Sequence, residues 1–94
     1  MSTERITIYP AGQVSGRYPA VEFETRDFYL VCFLRCVGYE LLGLRPEGRR
    51  QVFVFRDNDA RRGNVMAFYK GGASVRPLEF SSTIKHMKAL LHNA

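Results

Sequence analysis

The side chains best suited to covalent or metal chemistry in this chain are two thiols and two imidazoles: Cys32, Cys36, His86 and His92. Four residues apart on a helix, the two thiols would share one face, as a soft-metal site requires. The imidazoles, six apart, would fall on different faces of another helix, and the combined spacing matches no zinc motif. A nucleophilic cysteine needs a histidine base and some exposure, and no orienting motif accompanies either one. Both cysteines lie in the apolar run "FYLVCFLRCV", where free thiols behave as small hydrophobes. Helical i, i+4 geometry also suits a disulfide poorly. The sequence lacks a nucleophile elbow, a zinc-protease helix, a phosphate-binding loop and a dinucleotide fingerprint. Asp57 and Asp59 are expected to cap a helix. The expectation is therefore a non-enzymatic protein with no catalytic residue, no metal and no cofactor.

The cations carry more information. The net charge is +5, and it is concentrated late in the chain. Residues 45–62 hold six arginines against Glu47, Asp57 and Asp59. Arg45, Arg49 and Arg50 cluster near a turn, and Arg56, Arg61 and Arg62 gather about 20 Å away, one strand length further on. Guanidiniums beside free N–H groups at a helix start can hold phosphate. Lys85, Lys88 and His92 form a separate cationic face. The bland alternative is that the carboxylates pair with neighbouring arginines and the remaining cations are solvated.

These groups need elements to position them. Residues 1–22 read as an arm: "RITIY" alternates like an added strand, with Ile6 and Ile8 able to dock on the body, but Pro10, Gly12, Gly16 and Pro19 punctuate the rest of it. Residues 23–94 read as a single domain. Its first helix lies in "ETRDFYLVCFLRCVGYE", capped by Thr25 or Asp27 and stopped by Gly38. Leu30, Phe33, Leu34 and Val37 recur at helical spacing beside Phe28, Cys32 and Cys36, so this helix is central. Tyr39–Arg45 and Arg50–Arg56 read as a hairpin closed by a three-residue loop "PEG". That loop pairs Leu42 with Val52 and Leu41 with Phe53. Phe53 and Phe55 then share one face with Tyr39 and Leu41, while Leu42, Leu44, Val52 and Val54 share the other. Both faces are apolar, so something must cover the second.

A second helix follows in "DNDARRGNVMAFYKGG", with an apolar side of Val65, Met66, Phe68 and Tyr69. "ASV" offers a short edge strand. Pro77 opens a last helix whose inward stripe is Phe80, Ile84, Met87 and Leu91. The fold class is α+β: a small antiparallel β-hairpin sheet packed with three helices, in the order arm, helix, strand, strand, helix, short extended piece, helix.

Length and composition agree. Ninety-four residues at 46% hydrophobic content make one globular domain with a modest core. No apolar run is long enough to span a bilayer, and no secretory leader is visible. These features point to the cytoplasm and away from a membrane.

The blocks "ETRDFYLVCFL", "ELLGL", "FVFRD", "FYKGGASVRPLEF" and "IKHMKALL" occur in an order that resembles domain of unknown function family 5659. The resemblance covers about three-quarters of the chain, from Glu24 onward. It implies the α+β fold and a source in bacteria or their phages. It implies no reaction, cofactor or functional residue. The family pattern carries a better capping residue before the proline than Arg76.

Two functions fit. The first is a phage- or plasmid-like accessory protein that binds DNA or RNA through phosphate contacts by Arg45, Arg49, Arg50, Arg61, Arg62 and Lys85. Its sequence specificity would be weak, because no helix carries polar base-reading residues. The second is a protein-interaction module that docks a host protein, or a second copy as a homodimer, on Leu42, Leu44, Val52 and Val54. "RQVFVFR" also invites comparison with the base-stacking strand of an RNA-recognition motif. A domain this small needs those two phenylalanines inside, where each contributes about 2–3 kcal/mol.

Overall fold

Asp27 sets where the first helix begins. Its backbone is extended, and its Oδ1 accepts hydrogen bonds from the amides of Tyr29 and Leu30 at 3.1 and 3.2 Å, satisfying two donors that the helix cannot. The computed structural model describes residues 22–93. In chain order the elements are β1 (Glu22–Thr25), α1 (Phe28–Cys36), β2 (Leu41–Glu47), β3 (Arg50–Arg56), α2 (Arg61–Lys70) and α3 (Pro77–His92). The α+β class and the order of the helices and the hairpin are as expected from the sequence. The arm of residues 1–22, with Ile6 and Ile8, lies outside the described residues except for Glu22, which opens β1.

The sheet has three antiparallel strands in the order β1-β3-β2. Its third strand comes from "EFET" before α1, not from "ASV", which forms no strand. Only Phe23 in β1 is apolar, so the segment has little strand character of its own. It is held by pairing Phe23 with Phe55 and Thr25 with Phe53 along β3.

The hairpin register also differs from expectation. The "PEG" loop is not the turn: Pro46 and Glu47 stay in β2, opposite Gln51 and Arg50, and Gly48 and Arg49 alone make the connection. Gly48 has φ +61°, and among the described residues no non-glycine residue has positive φ, which defines a two-residue turn with glycine in its first central position. Pro46 is tolerated because β2 is an edge strand, where a missing N–H breaks no ladder. The three-residue slip is odd, so it exchanges the faces of β2. Leu44 therefore sits opposite Phe53, and a bulge between Leu41 and Gly43 brings Leu41 opposite Phe55. The expected face of Leu42, Leu44, Val52 and Val54 does not exist as one surface. Leu44 belongs to the phenylalanine side, Leu42 falls at the bulge, and Val52 and Val54 remain on the outer side.

The core lies between the inner sheet face and the helices. Phe53 and Phe55 are buried, as are Leu30, Val31, Cys32, Phe33 and Leu34 of α1. From α3, Met87 is buried, and Phe80, Ile84 and Leu91 pack against the same cluster. This is the stripe read from the sequence. From α2 only Val65 and Phe68 reach the core, the Phe68 ring stacking on Phe33 at 5.4 Å. Met66 and Tyr69 are exposed, although the Tyr69 hydroxyl donates to Asp27 Oδ2 at 2.6 Å.

The cap of α2 departs from expectation. The cap residue of α2 is Ala60, without a side-chain bond, because the helix starts after the acidic pair rather than on it. Asp57 instead grips Arg61, and the Asn58 carboxamide oxygen accepts from the Ala60 amide at 2.9 Å and the Tyr39 hydroxyl at 3.0 Å. Arg76 precedes Pro77 with no capping bond. Among the described residues no helix is long and apolar enough to cross a membrane.

Cys32 is buried, and Cys36, half-buried, donates to Thr83 Oγ1 at 3.4 Å. Burial, reinforced by the neighbouring Cys36 and opposed by Lys88, pushes the Cys32 thiol up to about 11. Its thiolate fraction at neutral pH is therefore negligible. Native protein treated with an aromatic disulfide reagent should leave Cys32 unmodified until denaturant is added, as read by mass spectrometry of the labelled peptide. Rapid labelling at Cys32 would mean that α1 opens readily.

Candidate functional site

The outer face of the sheet shows how the arginines are used. Arg45 reaches across β3 from β2 to Glu24 on β1. Those two residues are the strand partners of Val52 and Val54 respectively, so the pair spans β3 diagonally on the side of the buried valines. Arg56 binds Glu40 at 2.8 Å. Arg61 binds Asp57 at 3.1 Å and places its guanidinium 4.4 Å from the centre of the Phe23 ring. Arg45 and Arg61 thus have structural employment on the sheet. Arg62 and Lys85 are exposed, the first in α2 and the second in α3.

At the other end of β3 the arrangement changes. Arg49 occupies the second central position of the turn and Arg50 the first position of β3; both are exposed, and neither is held in an ion pair among the described residues. Arg26, which the charge pattern did not single out, approaches them from the end of β1. Its Nε and Nη2 donate to the two carboxylate oxygens of Glu47 at 2.5 and 2.7 Å, a bidentate clamp that fixes the guanidinium plane. These three arginines line a cleft of about 500 Å³. Its apolar wall is Phe28 at the start of α1, Phe53 on β3 and Leu91 near the end of α3.

Gln51 completes the lining, and its Oε1 is buried without a hydrogen-bond partner among the described residues. An unpaired buried amide oxygen costs about 1–3 kcal/mol. Gln51 lies two residues before Phe53 on the inner side of β3, so the cleft opens where the core meets the charged hairpin tip.

With one carboxylate, Glu47, beside three guanidiniums, the cleft is cationic, and Phe28, Phe53 and Leu91 add its apolar lining. Arg26, by hydrogen bonding and charge, together with Arg45 and Arg50, holds the Glu47 carboxyl below the usual carboxylate range, against the opposing effect of burial. A carboxylate depressed in the folded state adds stability above its unfolded pKa and loses it as pH falls through the lower folded value. Both partners are well exposed, so solvent screens that contribution. Arg26→Ala should raise the Glu47 titration midpoint toward the ordinary value of 4.5, followed by carboxyl-carbon NMR. An unchanged midpoint would show that Arg26 does not hold Glu47 in solution.

Among the described residues no three His, Cys, Asp or Glu side chains converge as a metal site would require. The molecule is a small α+β domain with a cationic, aromatic-walled cleft at the tip of its hairpin. Residues 20–93 match the family model described as domain of unknown function (DUF5659), and the chain belongs to that family. No curated protein and no solved structure matches it.

Proposed function

We propose that this protein is a non-enzymatic nucleic-acid-binding accessory protein, of the phage or plasmid type and working in the cytoplasm, that grips phosphates at the hairpin tip. The reading is carried by one observation: Arg49 and Arg50 project from the turn without ion-pair partners among the described residues, beside the clamped Arg26. Arginines whose charge is spent within the fold stabilise it; arginines left unpaired and close together are available to a polyanion. Arg62 and Lys85 supply further exposed positive charge along the surface, while Arg45 and Arg61 act mainly through their carboxylate partners. The residues around the cleft offer anion binding and apolar contact, which supports a binding role.

The interaction-module reading has less support in the hairpin, because Leu44 packs inward and the Arg45–Glu24 pair lies across Val52 and Val54. A homodimer built on that face would have to accommodate the ion pair, and light scattering across a concentration series would detect it.

Fluorescence anisotropy of labelled single-stranded DNA, duplex DNA and RNA, titrated at several salt concentrations, tests the proposal. Binding whose logarithm falls linearly with the logarithm of salt is expected, with a slope that counts the phosphates neutralised. Absence of binding to all three at low salt would overturn it.

A further inference from the structure

The cleft has features that phosphate binding alone does not use. A surface that reads only phosphates needs no hollow beside its cations, and here an open cleft of about 500 Å³ is lined by Arg26, Arg49 and Arg50 together with Phe28, Phe53 and Leu91. That volume falls within the roughly 300–1,000 Å³ of small-molecule sites. Phe28 is only half-buried at the cleft, and its ring leans on the buried Phe53 at 6.4 Å between centroids. Gln51 brings an amide whose oxygen lacks a donor, and rotation about its terminal torsion, which is soft, can turn that amide toward the cavity.

We infer that the cleft takes one unpaired nucleotide of a single strand, its base laid against Phe28 and Leu91 and its phosphate held by Arg49 and Arg50. This rests on the nucleic-acid-binding proposal and narrows it to single strands. A planar ring matches the half-buried aromatic wall, since every base has a π-face that stacks on phenylalanine. The ring N–H or exocyclic amine of a base supplies the donor that Gln51 Oε1 lacks; an acyl chain or a bare phosphate does not. A base paired inside a duplex is stacked on both faces and cannot enter, so a duplex would be held through its phosphates alone.

The inference is tested with three fluorescein-labelled probes at low salt: a mixed-sequence single strand of about twelve nucleotides, the same backbone with abasic residues throughout, and a duplex of equal length. The single strand should bind roughly tenfold more tightly than the abasic strand, the usual scale for one stacked base, and more tightly than the duplex. Gln51→Leu should shrink the gap between base-bearing and abasic strands while leaving abasic affinity unchanged. Equal affinity for the base-bearing and abasic strands would overturn the inference; if Arg49→Glu with Arg50→Glu still weakens both, phosphate binding itself survives. Failure of every probe to bind would overturn both.

Discussion

Replacing both arginines of the hairpin tip by glutamate should weaken binding of single-stranded nucleic acid on the order of a hundredfold at low salt, two lost attractions becoming two repulsions. The salt dependence should flatten as well, its slope falling by roughly 0.7 for each phosphate contact removed from a single strand. The fold should survive the change. Arg49 and Arg50 are exposed and hold no ion pair among the described residues, and the second turn position needs only the negative φ that any residue adopts. The one structural cost is a carboxylate facing Glu47 across the strands, where Arg50 now stands, a like-charge pair costing roughly 0.2–1 kcal/mol. Unchanged affinity in a folded double variant would place the binding surface elsewhere, at Arg62 or Lys85.

The second large effect belongs to the core. Phe55 has no exposed surface and sits at the centre of the sheet, between Phe23 and Leu41 on the flanking strands. Phe55→Ala should cost about 3–5 kcal/mol, the removed ring plus the cavity it leaves. For a domain of this size that corresponds to a fall in Tm of roughly 15–30 °C, measured by circular dichroism. This result bears on function, because "RQVFVFR" could be taken for a base-stacking strand. A loss below about 1 kcal/mol would mean the ring is not core, and would reopen that reading.

Sequence periodicity makes the two core helices legible. Leu30, Phe33 and Leu34 in α1, and Phe80, Ile84, Met87 and Leu91 in α3, recur on one helical stripe and pack where that stripe points. Local pattern is weaker where the deciding partner lies far along the chain. β1 is a strand because β3 offers it an edge, and "EFET" alone does not announce that. The hairpin register turns on a contest between two turn signals: Pro46 favours the longer loop, but Gly48 in the left-handed region closes a shorter one, and the edge position removes the objection to a strand proline. Asp57 does not cap α2 because the helix starts at Arg61, beyond the acidic pair, and the carboxylate binds the Arg61 side chain and the Asn58 amide instead.

The site is half legible for the same reason. Arg49 and Arg50 stand out in a basic run, but Arg26 lies in an acidic stretch and reaches the tip only through β1 pairing. Its signal is Glu47, the one carboxylate among the tip arginines, which needs a cation from somewhere. In the sequence Phe28 is one more apolar residue of α1, and Gln51 a polar residue at a strand end. Their shared cleft exists only once the ends of α1, β3 and α3 are brought together.

The measurement that tests the central claim most directly is a two-dimensional NMR titration of the protein with an unlabelled single-stranded oligonucleotide. Binding at the hairpin tip predicts that the largest amide shifts fall on Gly48, Arg49, Arg50 and Gln51, with Phe28 and Leu91 moving alongside. Shifts centred instead on Arg62 or on Lys85, or none at low salt, would contradict it.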